Sequence, residues 1–431
     1  MTIAILGGAG VRVPLLVGGL ARARVPVERI ALFDTDRSRL ACIADLARRA
    51  APGVRVDATA TAEAAIDGAQ FVIASLRVGG ARQRARDEQI AIAHGIVGQE
   101  TVGPAGFAMA LRTIPAMIEY GRLIAARAPN AWLVNFTNPV SLVTQAVHQH
   151  SAAHVVGICD TPMELLEDTA RALGLPAREC RFDFFGLNHL GWLREVYTNG
   201  EPHLHRLWDD PARLAAVYRT PLFEPGELAR VKLLPTEYVY YYYHPDRALD
   251  ALRRSGTSRG AIVADLTDAL FADLASGAVD PLARYEQYLA ARDAGYMQLE
   301  AGRSTPRERP EWAVLSGYDR IAAMTIEAIA GDQRLVLPLD VANHGTLPFL
   351  ADDDIIEVPC VVGSLGPHAV DVPAVPDHAR ELMIAVKAYE RAAVAAAVSG
   401  RIEDQIEALA LNPLVPSLDA ASALVHALLH P

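Results

Sequence analysis

The chain has 431 residues, 51% hydrophobic and 21% charged, a composition typical of a globular protein with one large unit or two domains. Its net charge of −11 argues against a nucleic-acid partner, because proteins that bind polyanions carry a basic face. No apolar run approaches the ~20 residues that span a membrane, and four scattered cysteines without a leader segment lead us to expect reduced thiols and a cytoplasmic location.

Short apolar runs alternate with amphipathic stretches over the first 160 residues. The strand-like runs are rich in β-branched residues and cover residues 2–6, 30–33, 71–76, 132–136 and 155–159. The clearest helical pattern runs from about residue 107 to 126, with apolar side chains at three- and four-residue spacing. This alternation predicts an α/β fold with a doubly wound, Rossmann-like parallel sheet.

The rhythm changes near residue 180, which predicts two domains, 1–180 and 181–431. Strands are predicted at 181–187 and 192–199, the second turning at Asn199-Gly200. Helices at 259–276 and 313–330, a β-rich patch at 335–362 and a helical end from about Pro376 follow. The second region is therefore predicted to be a mixed α/β domain packed tightly on the first.

A glycine-rich turn follows the first predicted strand. Gly8 and Gly10 fit the first two glycines of a dinucleotide fingerprint, but Val13 occupies the third position. Such glycines let the backbone approach a pyrophosphate at a helix N-terminus. Asp34 ends the next strand, where a carboxylate accepts the ribose hydroxyls of NAD and repels the extra phosphate of NADP. The pattern indicates NAD binding, and the alternative is a simple turn with a surface Asp.

Polar residues also follow three later strands. The carboxyl ends of strands line the ligand crevice of a doubly wound sheet, so Asn138 could reach cofactor or substrate, or could only shape the turn before Pro139. Cys159 and His189 are suitable ligands for a divalent cation, and two protein ligands leave positions for substrate oxygens. Taken singly, each is as readily explained as a buried core residue.

In this order, these segments resemble family 4 of the glycoside hydrolases over nearly the whole chain. The resemblance rests on residues 76–80 (LRVGG), 98–103 (GQETVG), 135–139 (NFTNP), 157–160 (GICD), 186–192 (GLNHLGW), 234–238 (LPTEY) and 357–360 (EVPC). It implies a fold like that of lactate and malate dehydrogenases, with NAD and usually Mn²⁺ as cofactors. It further implies a small glycoside or phosphoglycoside as substrate and a homodimer or homotetramer.

The resemblance also implies roles for single residues. Cys159 and His189 would ligate the metal, Tyr238 would be the catalytic base, and Asp160 matches a residue of α-acting members that serves as a general acid. The substrate-binding residues would be Arg84, Asn138, Asp160, Asn188 and Arg259, and the cofactor-binding residues Gly8, Gly10, Arg12 and Asp34.

The implied chemistry begins with transfer of a hydride from carbon 3 of the sugar to NAD. The metal, chelated by the oxygens on carbons 2 and 3, polarises the resulting ketone. Tyr238 then removes the proton on carbon 2, provided that the cation and Arg259 lower its pKa from ~10. Elimination of the aglycone, addition of water and return of the hydride regenerate NAD, and no pair of carboxylates is needed.

Three features conflict about the substrate. Family members that act on 6-phosphosugars usually carry Ser and Thr where this chain has Gly10 and Val11, and Arg12, which follows, could bind an anion or contact the dinucleotide. Asp160 is typical of α-acting members, whereas residues 76–79 resemble the β-acting branch. We predict a 6-phospho-β-glucosidase, with an α-linked or unphosphorylated glycoside as the alternative. An NAD-dependent 2-hydroxyacid dehydrogenase and a catalytically silent NAD-binding sensor are the rival hypotheses.

Overall fold

The computed structural model describes residues 1–302 and 317–429, and the first part of the helix predicted at 313–330 lies outside these residues. The strands of the described residues are β1 Thr2–Leu6, β2 Arg29–Phe33, β3 Arg55–Ala58, β4 Phe71–Ala74, β5 Trp132–Asn135, β6 His154–Gly157, β7 Arg181–Leu187, β8 Leu190–Thr198, β9 Glu201–Pro202, β10 Leu234–Pro235, β11 Leu335–Ala342, β12 Ile355–Gly363 and β13 Gly366–Ala369.

The helices described are α1 Val13–Ala21, α2 Arg37–Ala50, α3 Ala62–Ile66, α4 Gly80–Ala93, α5 Gly103–Arg127, α6 Val140–His150, α7 Thr161–Leu173, α8 His205–Trp208, α9 Pro211–Ala215, α10 Pro225–Val231, α11 Tyr240–Tyr243, α12 Pro245–Ser255, α13 Arg259–Ser276, α14 Pro281–Ala294, α15 Gln298–Ala301, α16 Tyr318–Gly331, α17 Asp377–Ser399, α18 Ile402–Ala410 and α19 Leu418–Leu429. Short 3-10 turns cover Ala177–Glu179 and Glu237–Val239. Across both described stretches, no helix is both long enough and apolar enough to cross a membrane.

The first six strands form the parallel part of the sheet, in the order β3-β2-β1-β4-β5-β6. This is the strand order of a doubly wound dinucleotide-binding fold, so the predicted fold class is confirmed. Helices cover both faces: Ile3 and Ile5 pack into one apolar cluster, and Ala4 and Leu6 pack into another on the opposite face. Burial on both sides explains why the strands read as continuous apolar runs.

Antiparallel strands extend the same sheet beyond β6. β11 pairs with β6 through Asp340 and Gly157, and the sheet continues through β12, β7, β8 and β10. The strands predicted at 181–187 and 192–199 and the β-rich patch at 335–362 therefore add to the first sheet. The turn predicted at Asn199-Gly200 is confirmed, with φ of +50° and +84° at its two residues. The domain boundary near residue 180 stays a prediction.

Local sequence signals set the bounds and the buried sides of the helices. α13 has the bounds predicted for it, because the Ser258 hydroxyl accepts the Ala261 N–H at 3.2 Å and Gly277 ends it with φ of +66°. α5 buries most of one side between the sheet and α17, as its apolar spacing predicts. The helical end predicted from Pro376 is α17, followed by α18 and α19.

Candidate active site

One cleft of about 830 Å³ opens where the loops after β1, β2, β4, β5 and β6 meet. Nine of the predicted site residues line it: Gly10, Arg12, Asp34, Arg84, Asn138, Cys159, Asp160, His189 and Tyr238. Three others, Gly8, Asn188 and Arg259, do not line it. The structure thus brings residues from distant parts of the chain to one place, at the switch point where ligands of doubly wound sheets bind.

The glycine-rich turn after β1 lies against its neighbouring strands. The Gly8 N–H donates to the Phe33 carbonyl oxygen at 2.8 Å. A Cβ on Gly7, whose φ is +86°, would come within 2.4 Å of the Ser75 carbonyl oxygen. The backbone therefore runs closer to both neighbours than a side chain would allow. Val13, in place of the third glycine, is buried at the start of α1 and packs in the core.

Asp34 is held rigidly at the end of β2. Its Oδ2 accepts the Ala9 N–H and its Oδ1 accepts the Asp36 N–H, both at 3.0 Å. A carboxylate has about four acceptor sites, so both oxygens keep lone pairs for another donor. Ribose hydroxyls of a dinucleotide are suitable donors at this position.

Cys159 follows β6 and is buried, 6% exposed. Burial, with the nearby Glu357 and Asp160 carboxylates, raises the pKa of this thiol well above its ordinary value. A divalent cation would reverse that preference, because metal coordination deprotonates a thiol. Within residues 1–302 and 317–429, no three His, Cys, Asp or Glu side chains are grouped to hold a metal ion. A cation at Cys159 and His189 would need additional ligands, which water or substrate oxygens can supply.

His189 occupies a two-residue hairpin turn between β7 and β8, where its φ is +63°. Its Nδ1 lies 2.7 Å from the Thr101 hydroxyl, and its ring stacks on that of Tyr238 with centroids 3.8 Å apart and planes 8° from parallel. Burial lowers the pKa of His189 to about 4, so the imidazole is neutral at neutral pH. Neutral imidazole is the form that binds metal ions, and Cys159 and His189 together fit a divalent cation.

Tyr238 is the residue that the resemblance implies as the base, and it lies in the cleft beside His189. Burial, and then the Glu100 carboxylate, raise the pKa of Tyr238 well above its ordinary value, while a hydrogen bond with Tyr296 opposes the shift. A cation next to the phenol would favour the phenolate. The arrangement therefore needs a bound cation before this tyrosine can act as a base near neutral pH.

The neighbouring tyrosines are used elsewhere. The Tyr241 hydroxyl donates to Glu300 Oε1 at 2.8 Å, and the Tyr243 hydroxyl accepts the Trp192 indole N–H at 3.0 Å. Of the tyrosines in 238–243, Tyr238 alone lines the cleft. The hydroxyls of Tyr241 and Tyr243 are therefore engaged away from the cleft.

Glu100 was not predicted as a site residue, although it lies in the segment 98–103 that carries the resemblance. Its Oε2 lies 3.1 Å from Arg77 Nη2 and forms an ion pair with Arg84. Burial alone would raise the pKa of Glu100, but Arg77, Arg84 and the more distant Arg292 hold it well below its usual range. Arg84 also donates to Glu88 Oε1 at 2.7 Å, so two carboxylates hold its guanidinium in place.

Arg259 and Asn188 lie outside the cleft lining and contact other residues of this region. Arg259 donates to the carbonyl oxygen of Arg292, and burial, with Arg292 and Arg84 nearby, lowers its pKa to about 10. Asn188 donates from Nδ2 to Glu357 Oε1 at 3.2 Å. Contact of either residue with a substrate stays a prediction.

Arg12 and Arg292 both line the cleft. Arg12, at the N-terminus of α1, lies 3.7 Å from Asp160 Oδ2. Arg292 of α14 also lines the cleft and donates to the Tyr288 hydroxyl at 3.1 Å. Burial and then the nearby Arg12 lower the pKa of Arg292. No motif marks Arg292, since nothing in the pattern of α14 distinguishes it from a surface arginine.

Comparison with known proteins agrees with this geometry. The profile described as Family 4 glycosyl hydrolase matches residues 2–175, and that of the Family 4 glycosyl hydrolase C-terminal domain matches residues 184–415. A probable 6-phospho-beta-glucosidase of Bacillus subtilis is 31% identical, covering 100% of this chain and 96% of its own. A phospho-alpha-glucosidase of Clostridium acetobutylicum is 26% identical, with 98% and 96% covered.

The structures agree as well. The 6-phospho-beta glucosidase of Thermotoga maritima, solved with manganese, NAD⁺ and glucose-6-phosphate, superposes with a TM-score of 0.84 at 26% identity, covering 100% of this chain and 97% of that one. The family profiles and the similar proteins thus confirm the resemblance seen in the sequence. The chain belongs to family 4 of the glycoside hydrolases.

Proposed function

We propose that this chain hydrolyses 6-phospho-β-glucosides with NAD and Mn²⁺ as cofactors. The observation that carries the proposal is the convergence of Cys159, His189 and Tyr238 in the cleft that the glycine-rich turn also lines. The β assignment is supported by residues 76–79 and by the 31% identical relative named for β-glucosides. Asp160 favours the α-linked alternative, and a relative named for α-glucosides also matches the whole chain.

The positions of the residues in the cleft suggest a separate role for each. When bound, NAD takes a hydride from carbon 3 and later returns it, while the divalent cation polarises the oxygens on carbons 2 and 3. Cys159 and His189 would hold the cation, and Asp34 would hold the ribose. Tyr238 removes the proton on carbon 2, which becomes acidic once carbon 3 is oxidised. The aglycone then leaves carbon 1 by elimination, and water adds to carbon 1 while a proton returns to carbon 2.

Arg12 and Arg292 are the proposed phosphate ligands. Arginines outnumber carboxylates in the cleft lining, although the whole chain carries a net charge of −11. Arg12 takes the place of the hydroxyl side chains that the sequence lacks at residues 10 and 11. Arg12 lowers the pKa of Arg292, and a phosphate bound near both would offset that repulsion.

Replacing Arg12 tests this assignment. We expect Arg12→Gln to raise KM for a 6-phosphoglucoside by about 10–100-fold, because a hydrogen bond to a charged group contributes ~1.5–3 kcal/mol. NAD affinity, measured by fluorescence titration, should change little. A weaker NAD affinity with an unchanged KM for the sugar would instead assign Arg12 to the dinucleotide. Arg49→Gln, which removes an exposed arginine of α2, controls for the loss of one charge.

The proposed function itself is tested with four p-nitrophenyl substrates, the α- and β-glucosides with and without a 6-phosphate. Each is assayed with NAD and Mn²⁺, without NAD, and after chelation of the metal. We expect release of p-nitrophenol from the phosphorylated β-glucoside only when both cofactors are present. Cleavage of an α-linked or unphosphorylated substrate instead would overturn the substrate assignment and keep the mechanism. Net NADH production without cleavage of any glycoside would favour a dehydrogenase.

A further inference from the structure

A series of hydrogen bonds links the loop before α5 to the His189 side chain. Gln99 Oε1 accepts the backbone N–H groups of Thr101 at 2.7 Å and of Val102 at 2.9 Å. It also accepts the Thr101 hydroxyl at 2.9 Å. On the other side, Thr101 Oγ1 lies 2.7 Å from His189 Nδ1. These contacts join residues 88 positions apart in the sequence.

The direction of each hydrogen bond follows from its neighbours. Two backbone N–H groups face the same Gln99 atom, so that atom is the amide oxygen, which can only accept. The Thr101 hydroxyl has one proton and donates it to this oxygen. Thr101 Oγ1 therefore offers His189 only lone pairs, and His189 Nδ1 must carry a proton. The Nε2 of the neutral ring then keeps its lone pair.

We propose that Thr101 is a positioning residue that fixes the tautomer and ring plane in which His189 presents Nε2 to the divalent cation. The inference rests on the proposed function, which makes His189 a metal ligand. The hydrogen bond partner of a ligating imidazole sets which nitrogen is free and how the ring is oriented. The Tyr238 ring stacks on the face of the same imidazole. The stacking and the Thr101 hydrogen bond therefore restrict the ring plane together.

Cobalt binding tests the proposal without any turnover. Co²⁺ is titrated into the full-length chain without substrate, and binding is followed through the thiolate-to-cobalt absorption that Cys159 would contribute. We expect Thr101→Val to weaken Co²⁺ binding by about 10–100-fold. Thr101→Ser restores the hydroxyl and should bind within about threefold of wild type. Thr113→Val is the matched control, because Thr113 is fully buried in α5 and its hydroxyl has no hydrogen-bond partner in the described residues.

The outcomes separate this inference from the proposed function. Equal Co²⁺ affinity of the wild type and Thr101→Val overturns the positioning role and leaves the metal site standing. Absence of the thiolate band in both the wild type and Thr113→Val overturns the metal site, and with it the inference. The ring-nitrogen resonances of His189, assigned with His189→Gln, give a check that needs no Thr101 variant. A proton on Nε2 instead of Nδ1 in the metal-free wild type would refute the proposal.

Discussion

Cys159→Ser is expected to lower kcat/KM by about three powers of ten or more. A cation that polarises the substrate oxygens contributes several kcal/mol to transition-state stabilisation, and each ~1.4 kcal/mol is a factor of ten in rate. A neutral hydroxyl is a poorer ligand than a thiolate, and the side chain is buried beside the cleft, so no other thiol of the described residues replaces it. The measurement is steady-state hydrolysis across a range of Mn²⁺ concentrations, together with direct Mn²⁺ binding.

Cys360→Ser is the matched control for this variant. Cys360 is fully buried in β12, contacts the Val358 carbonyl oxygen at 3.4 Å and does not line the cleft. It should therefore retain activity and Mn²⁺ affinity close to wild type. If Cys159→Ser kept both the rate and the Mn²⁺ dependence, the cation would have to bind elsewhere.

Tyr238→Phe is expected to lower kcat by about 10²–10⁴-fold, the usual contribution of a positioned general base. The loss falls on one step, because hydride transfer from carbon 3 precedes removal of the proton on carbon 2. Mixing the variant with substrate should therefore still produce the absorbance of reduced nicotinamide, while the aglycone is released slowly. Exchange of the carbon 2 hydrogen with D₂O, followed by NMR, should be lost in parallel.

Tyr241→Phe provides the comparison in the same cluster. The Tyr241 hydroxyl is buried against Glu300, away from the cleft lining, so its removal should affect stability more than turnover. Collapse of turnover in Tyr241→Phe but not in Tyr238→Phe would show that the base had been assigned to the wrong tyrosine. A pH–rate comparison of the two variants with wild type would make that difference visible.

The parallel half of the fold was predictable because its signals are local. Strands β1 and β4 are buried on both faces, so short runs such as residues 71–74 are apolar throughout and end at turn residues. Two features outside this half are also local, because the helix N-cap at Ser258 and the turn at Asn199-Gly200 depend on neighbouring residues alone. Strand β3 was missed because Val56 is the one buried residue among its four, at the edge of the sheet.

The antiparallel extension was not predictable from the sequence, because local periodicity does not specify a strand's partner. β11 meets β6 through one residue pair, Asp340 and Gly157, more than 180 positions apart. The ionic network of the cleft likewise joins residues that are far apart in the sequence. Arg292 comes from α14 and Glu100 from a loop, and only their tertiary neighbours distinguish them from other charged residues. The motif at 98–103 did mark the location of Glu100, although not its role.

The hairpin turn between β7 and β8 holds a residue that is not the most stable choice for its backbone conformation. Left-handed backbone at a non-glycine residue costs roughly 1–2 kcal/mol, and glycine or asparagine reduces that cost. His189 holds this conformation with φ of +63°, at the tip of a tight turn. A sequence optimised only for stability would place glycine or asparagine there and would lose the imidazole. With the metal role proposed for His189, the turn marks a trade-off between stability and activity at a single backbone position.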